Sequence, residues 1–95
     1  MRTIERSIAW TSAFKKDFKR EKKRYSELEN LLAPVLSKLA ADEPLEEQYR
    51  DHALSGDKKP FRDCHIRSDL ILLYYKPDED TLSLVRLGSH TELSL

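Results

Sequence analysis

Residues 61–90 read FRDCHIRSDLILLYYKPDEDTLSLVRLGSH, and the rhythm of this stretch decides the fold. Phe61–Ile66, Asp69–Lys76 and Thr81–Gly88 are rich in aromatic and branched apolar residues and are bounded by turn formers, so each reads as a strand. Pro77-Asp78-Glu79-Asp80 is the turn between the last two. Connections this short make consecutive strands antiparallel neighbours. A turn at 77–80 pairs Lys76 with Thr81, which sets Ile71 opposite Arg86 and Asp69 opposite Gly88. Directly opposed residues share a face, so Asp69 and Arg86 lie on one side of the sheet. Two registers stay open for the first pair of strands. A three-residue loop, Ile66-Arg67-Ser68, puts His65 opposite Asp69 on that same side, whereas a two-residue loop turns it to the other. The three-residue loop is the reading adopted.

Upstream the period changes. Residues 42–60 hold Pro44, Gly56 and Pro60 and read mostly as loop. Before them Leu28, Leu31, Leu32, Val35, Leu36 and Leu39 recur at helical spacing to about Ala41, and Pro34 either kinks that helix or marks a late first turn. Ser26-Glu27-Leu28-Glu29 has the form of a capping box at its start. In an earlier helix Phe14 and Phe18 stand four apart on one buried stripe, with Thr11 or Ser12 as its cap. Residues 3–9 carry Thr3, Ile4 and Ile8 and read as a short strand. The order strand, helix, helix, three strands predicts an α+β fold: two N-terminal helices on a small antiparallel sheet of about four strands. All 95 residues are expected to form one domain.

Hydrophobic content of 39% and charged content of 36% fit a compact domain with a dense ionic surface. Cys64 is the only cysteine, which excludes an internal disulfide and fits a reducing compartment. The longest apolar run, Leu70 to Tyr75, is too short to span a bilayer. The first residues lack an apolar signal segment, so a cytoplasmic location is expected and no membrane partner. The net charge of zero hides a pattern of blocks. Residues 1–25 carry +6, residues 26–57 carry −6, residues 58–76 carry +3 and residues 77–95 carry −3. A phosphate backbone responds to the local basic patch, so Lys15–Arg24 is either an RNA-facing surface or a solvated helix face.

The chemistry-bearing residues gather in the second half. His90 follows the Gly88 end of the last strand, close to Asp69. His65 ends an earlier strand, and His52 lies in the long loop within reach of the same edge. Imidazoles suit proton transfer near neutral pH, a carboxylate can orient them, and Arg86 can grip a phosphate with two prongs. RNA cleavage needs those parts: a base for the 2′-hydroxyl, an acid for the leaving 5′-oxygen, and a cation beside the phosphate. Plainer readings stand beside this one, with Asp69 as a turn cap and Arg86 in a cross-strand ion pair. A zinc site is disfavoured, because Cys64 and His65 point to opposite faces and no C-x-x-C or H-x-x-x-H spacing is present. No metal or other cofactor is expected.

The segments Phe14–Arg20, Tyr49–Gly56, Phe61–Ile66, Asp69–Tyr75 and Leu84–His90 resemble the RelE/YafQ toxins of bacterial toxin–antitoxin pairs. The motifs RDHALSG, FRDCH and GSH point to the YafQ branch, and the likeness spans about residues 3–93. The resemblance implies a ribosome-dependent mRNA endonuclease acting at the A site, neutralised by a RelB/DinJ-like antitoxin, with DNA touched only through that partner. It assigns His52, His65, Asp69 and His90 to the catalytic set, and Arg86 to the phosphate. His90 is then the general acid, and the base is His52, or His65 working with Asp69. Lys15, Lys16, Lys19, Arg20 and Arg62 are expected to contact RNA. Ser94 stands where the family usually has Phe, Leu70 where Trp is common and Pro60 where Gly is common. Two alternatives follow: a ParE-like gyrase inhibitor, which needs no histidine cluster, and a degenerate binding module, which Ser94 keeps open.

Overall fold

The computed structural model describes residues 5–95 and shows an α+β chain with one five-stranded sheet. β1 (Ser7–Trp10) leads into α1 (Ser12–Arg24) and α2 (Leu28–Ala40). A 3-10 turn at Glu47–Tyr49 precedes the two-residue β2 (His52–Ala53), and another at Gly56–Lys58 precedes β3 (Arg62–Arg67). β4 (Leu70–Asp78), β5 (Thr81–Gly88) and the single-turn α3 (His90–Leu93) complete the chain. The strand order is β1-β5-β4-β3-β2. The expected four antiparallel strands are therefore five, and the sheet is mixed, because β1 runs parallel to β5 while the other pairs are antiparallel. Thr3 and Ile4, part of the expected first strand, lie outside the described residues.

Thr11 caps α1, its hydroxyl accepting from the Phe14 N–H. The capping box expected at Ser26–Glu29 does not form, and α2 begins after Glu27 without a side-chain cap. Glu29 instead pairs with the Lys22 ammonium. α2 runs on through Pro34. Phe14, Leu28, Leu32, Val35 and Leu39 of the helices pack on Cys64, Leu70, Leu72, Tyr74, Leu82, Leu84 and Leu87 of the sheet, making one apolar core. The alternation of β3 to β5 thus sends Cys64 into the core and His65 to the opposite face.

Both connections differ from the sequence reading, and both differences cancel. The β3–β4 turn is the two residues Ser68-Asp69, with Arg67 opposite Leu70. Taken alone, that turn would reverse His65. A register shift between His65 and Arg67 absorbs one residue, so His65 faces Ile71 and stays on the expected side. β4 continues through Pro77, and Asp78 pairs with Thr81. The Asp78 carboxylate accepts the Asp80 N–H at 2.8 Å and tightens the turn to Glu79-Asp80. Ile71 is therefore opposite Gly88 and Leu73 opposite Arg86. This slip of two residues preserves the faces of Ile71 to Leu73 and of Arg86 to Gly88, while register shifts on either side of Tyr74–Tyr75 displace that pair by one.

β1 ends opposite Leu84, which leaves the far half of β5 without a strand neighbour. α1 closes that edge. Thr11 donates from its N–H to the Leu84 carbonyl and from its hydroxyl to the Val85 carbonyl. Further along, the Asp17 carboxylate accepts the Leu87 N–H at 3.0 Å, and Arg20 donates to the Leu87 carbonyl at 2.9 Å. Side chains of a helix satisfy the backbone groups that a sixth strand would otherwise have taken.

Candidate active site

The side of the sheet away from the main core carries Asp63 and His65 on β3, Ile71 and Leu73 on β4, and Arg86 and Gly88 on β5. Three segments bring histidines to its end. β3 supplies His65 directly. β2 pairs with β3 so that His52 lies opposite Asp63. His90 opens α3, whose start is fixed by a capping box: Ser89 accepts the Glu92 N–H, and Glu92 accepts the Ser89 N–H. Gly88 lies just before it, where a Cβ would sit 2.9 Å from both Arg20 Nη2 and Glu92 Oε1 and would push those side-chain ends aside.

The imidazoles of His65 and His90 meet edge to face, with ring centres 5.2 Å apart. Asp69 binds His90 rather than His65. One carboxylate oxygen lies 3.0 Å from His90 Nδ1 and 3.2 Å from its backbone N–H. These bonds from His90 hold the Asp69 carboxyl below the usual carboxylate range. The sequence expectation that Asp69 works with His65 is thereby corrected: Asp69 sits in the turn itself, where it faces the start of α3. His52 is oriented from behind, with Nδ1 2.8 Å from the Arg50 carbonyl. A carbonyl only accepts, so Nδ1 carries the proton and the lone pair of the neutral ring is on Nε2.

Sequence reasoning missed Asp63. Its side chain is 6% exposed and lies 3.3 Å from His52 Nδ1, yet its Oδ1 makes no hydrogen bond among the described residues. Burial pushes its carboxyl above the ordinary range, while the charges of His52, His65 and His90 pull the other way. All three imidazoles therefore lie within electrostatic reach of one sequestered carboxylate. Burial also lowers the pKa of His65, and the charges of His90, Arg50 and His52 act in the same sense against Asp63. His65 is thus inclined to be neutral. The available signal was Asp63 standing two residues before His65 on the same strand face.

Arg86 does not present an open fork. Its Nε donates to Asp17 at 2.6 Å and its Nη2 to the same carboxylate at 3.2 Å. Asp17 is 3% exposed. Burial pushes that carboxyl up, but the bonds from Arg86 and Leu87 and the charges of Arg86 and Arg20 outweigh it and hold it below the usual range. A buried carboxylate needs such partners, which is the physical reason the expected phosphate grip of Arg86 is already taken. Arg20 is committed in the same way, within salt-bridge reach of Asp17, Glu21 and Glu92. Arg62 pairs with Asp51, which also accepts the buried Tyr74 hydroxyl at 2.5 Å. Of the five basic residues expected to meet RNA, Lys15, Lys16 and Lys19 alone are exposed and without a described partner.

An open cleft of about 550 Å³ adjoins two of the imidazoles and is lined by Tyr49, Arg50, His65, Arg67, Ser68 and His90. Among the described residues no group of three or more His, Cys, Asp or Glu side chains is arranged to hold a metal ion. None of the described helices is long and apolar enough to cross a membrane.

Residues 6–95 match the family model described as the bacterial toxin of type II toxin–antitoxin system, YafQ. The chain is 33% identical over 90 residues to the mRNA interferase toxin YafQ of Escherichia coli, covering 95% of this chain and 97% of that one. It is 46% identical over 55 residues to a protein from Haemophilus influenzae described as a toxin of the same name, a match spanning 54% of that protein. A copper-bound mutant toxin from Helicobacter pylori superposes with a TM-score of 0.87 at 41% identity, covering 95% of this chain and 99% of the other. The toxin chain of the Escherichia coli DinJ–YafQ complex superposes with a TM-score of 0.81 at 34% identity, covering 94% and 98%.

Proposed function

The chain belongs to the YafQ family of bacterial toxins from type II toxin–antitoxin systems, and on that footing we propose that it is an endoribonuclease cutting ribosome-bound mRNA in the A site. The observation that carries this reading is the pair of carboxylate–imidazole couples, Asp69 with His90 and Asp63 with His52, set on either side of His65. Two oriented imidazoles are what 2′-hydroxyl attack requires, one to take a proton and one to give a proton.

In the proposed reaction Nε2 of His52 takes the proton of the 2′-hydroxyl. The 2′-oxygen then attacks the adjacent phosphorus, and the bond from phosphorus to the 5′-oxygen breaks. His90, protonated on both nitrogens and held through Nδ1 by Asp69, gives its Nε2 proton to that leaving oxygen. The products are a 2′,3′-cyclic phosphate and a free 5′-hydroxyl. Asp63 is a positioning residue, because its carboxylate favours the imidazolium that His52 becomes. Neutral His65, between the two, hydrogen-bonds the phosphate. Arg86 acts at one remove by anchoring the strand that leads to Gly88 and His90. The expected partner is a DinJ-like antitoxin, as in the Escherichia coli complex.

Primer extension on translated message in a purified system, comparing wild type with His90→Ala, tests the reading. The expected result is new cuts that require ribosomes and fall by roughly 10²–10⁴-fold in the variant. The copper held by the Helicobacter pylori relative makes an EDTA-treated sample a necessary arm, and cutting is expected to persist in it. An intact message with wild-type protein overturns the proposal. Loss of gyrase supercoiling in the same preparation would then identify a gyrase inhibitor instead.

A further inference from the structure

The cleft beside His65 and His90 holds the two guanidiniums that the fold leaves uncommitted. Of the seven arginines in the described residues, five are paired: Arg6 with Asp42, Arg20 with Asp17, Arg24 with Glu21, Arg62 with Asp51 and Arg86 with Asp17. The guanidiniums of Arg50 and Arg67 have no described hydrogen bond or ion pair, and both residues line this one cleft. Arg67 is exposed on β3, at the turn into β4, and Arg50 is exposed immediately after the 3-10 turn.

Arg50 is also the residue with the most unusual backbone near the site. Its φ of 48° and ψ of 44° are left-handed, an arrangement disfavoured for a residue with a Cβ. In that conformation its carbonyl orients His52. Its charge is near enough to His65 to help keep that ring neutral. A cation near the proton-transfer groups has no carboxylate partner among the described residues.

We propose that Arg50 and Arg67 form the phosphate clamp of this toxin, gripping within the cleft the RNA backbone next to the scissile bond. The inference rests on the endonuclease reading for the identity of the strand, and it replaces Arg86 as the source of positive charge there. Planar guanidiniums match phosphate oxygens two by two, and exposed ones gain a partner without breaking an internal pair. Ser68 supplies a hydroxyl to the same cleft, whose volume of about 550 Å³ has room for a nucleotide of a single strand.

The test separates grip from cutting. A fluorescent single-stranded hexaribonucleotide with 2′-O-methyl groups has no nucleophile, so it reports binding alone. Fluorescence anisotropy is measured with the full chain, with Arg67→Ala, with Arg50→Asn and with the double variant. Asparagine tolerates the left-handed backbone at position 50, so the variant removes the guanidinium without straining the loop further. Circular dichroism confirms that each variant is folded, and Arg67→Lys asks whether charge without a fork restores part of the grip. The expected result is an affinity loss of roughly ten-fold or more per single variant. The salt dependence should become shallower by about 0.7 of a power per arginine removed. Unchanged affinity and slope in the double variant overturn the clamp. So does wild-type binding weaker than about 1 mM, or binding lost on substituting Lys15, Lys16 and Lys19 but not the arginines. Wild type that binds the oligonucleotide yet leaves ribosome-bound message uncut sinks the endonuclease reading while upholding the clamp.

Discussion

Two of the site imidazoles have one nitrogen already fixed: His52 by the Arg50 carbonyl and His90 by the Asp69 carboxylate. Both expose Nε2 to a substrate, and what differs is the carboxylate behind each. The Asp69 side chain is 59% exposed, whereas Asp63 is sequestered within electrostatic reach of all three rings. Replacing Asp63 by Asn keeps the shape and removes the charge that favours protonated imidazoles. The cleavage rate should fall on the order of 10²-fold, less than the roughly 10⁴-fold known for a triad aspartate that sets a tautomer. The limb of the pH–rate profile that reports loss of neutral His65 should also move to lower pH, because Asp63 raises the pKa of His65 against its burial. A merely structural role would lower the rate without moving the profile. His65 carries a second expectation, in stability. Its folded pKa lies below its unfolded one, so the unfolded chain binds a proton first as pH falls through about 6.5. The contribution is complete above that pH and is lost below it. Urea melts from about pH 7.5 to 5.5 should show wild type losing more stability than His65→Gln.

The elements are held in register by side chains that sequence reading assigned to other work. α1 substitutes for a missing strand along β5, and Asp17 is its contact point, accepting from Arg86 and from the Leu87 N–H. Arg86→Ala strips two charge-assisted bonds from a buried carboxylate and leaves Arg20 and one backbone N–H. The expected loss of folding stability is about 1.5–3 kcal/mol by urea denaturation. An arginine that served only to face substrate would leave stability within about 0.5 kcal/mol. The α3 turn offers a parallel case. The Ser-x-x-Glu signature occurs at Ser26–Glu29, where the box does not form, and at Ser89–Glu92, where it does. The difference lies in the company each glutamate keeps. Glu29 is drawn to Lys22, while Glu92 lies in the field of Arg20 and Arg24 and faces its own cap. The box that forms is the one that places His90.

For the whole molecule, a net charge of zero conceals a division of labour among cations. Most arginines hold the fold together, two face the cleft, and Lys15, Lys16 and Lys19 stand exposed on α1. Those three lysines carry the expected long-range attraction to ribosomal RNA. Replacing all three by Ala should weaken ribosome association and flatten its salt dependence by two to three counterions or so, measured by co-sedimentation over a salt series. Secondary structure and thermal midpoint should stay near wild type, because no described contact depends on the three lysines.

The α+β class, the strands from Phe61 to Gly88, the two helices and the histidines worth watching were all legible in the chain. Apolar periodicity is a local property, and the faces of β3 to β5 follow from it even when the connections are misjudged. The three-residue loop at 66–68 and the pairing of Lys76 with Thr81 both proved displaced, yet His65 and Arg86 kept their side. A bulge restored the parity in one case, and a slip of two preserved it in the other. What the tertiary structure decided was partnership. Charged side chains choose the nearest opposite charge in space, and that neighbour is set by packing between elements far apart in sequence. Asp17 took Arg86 from the phosphate, Asp69 turned to His90 instead of His65, and Asp63 was buried within electrostatic reach of the imidazoles. Sequence determined which face of the sheet bears the chemistry. The packing of α1 along β5, and of the 46–53 segment over β3, decided which residues on that face remain open to a ligand.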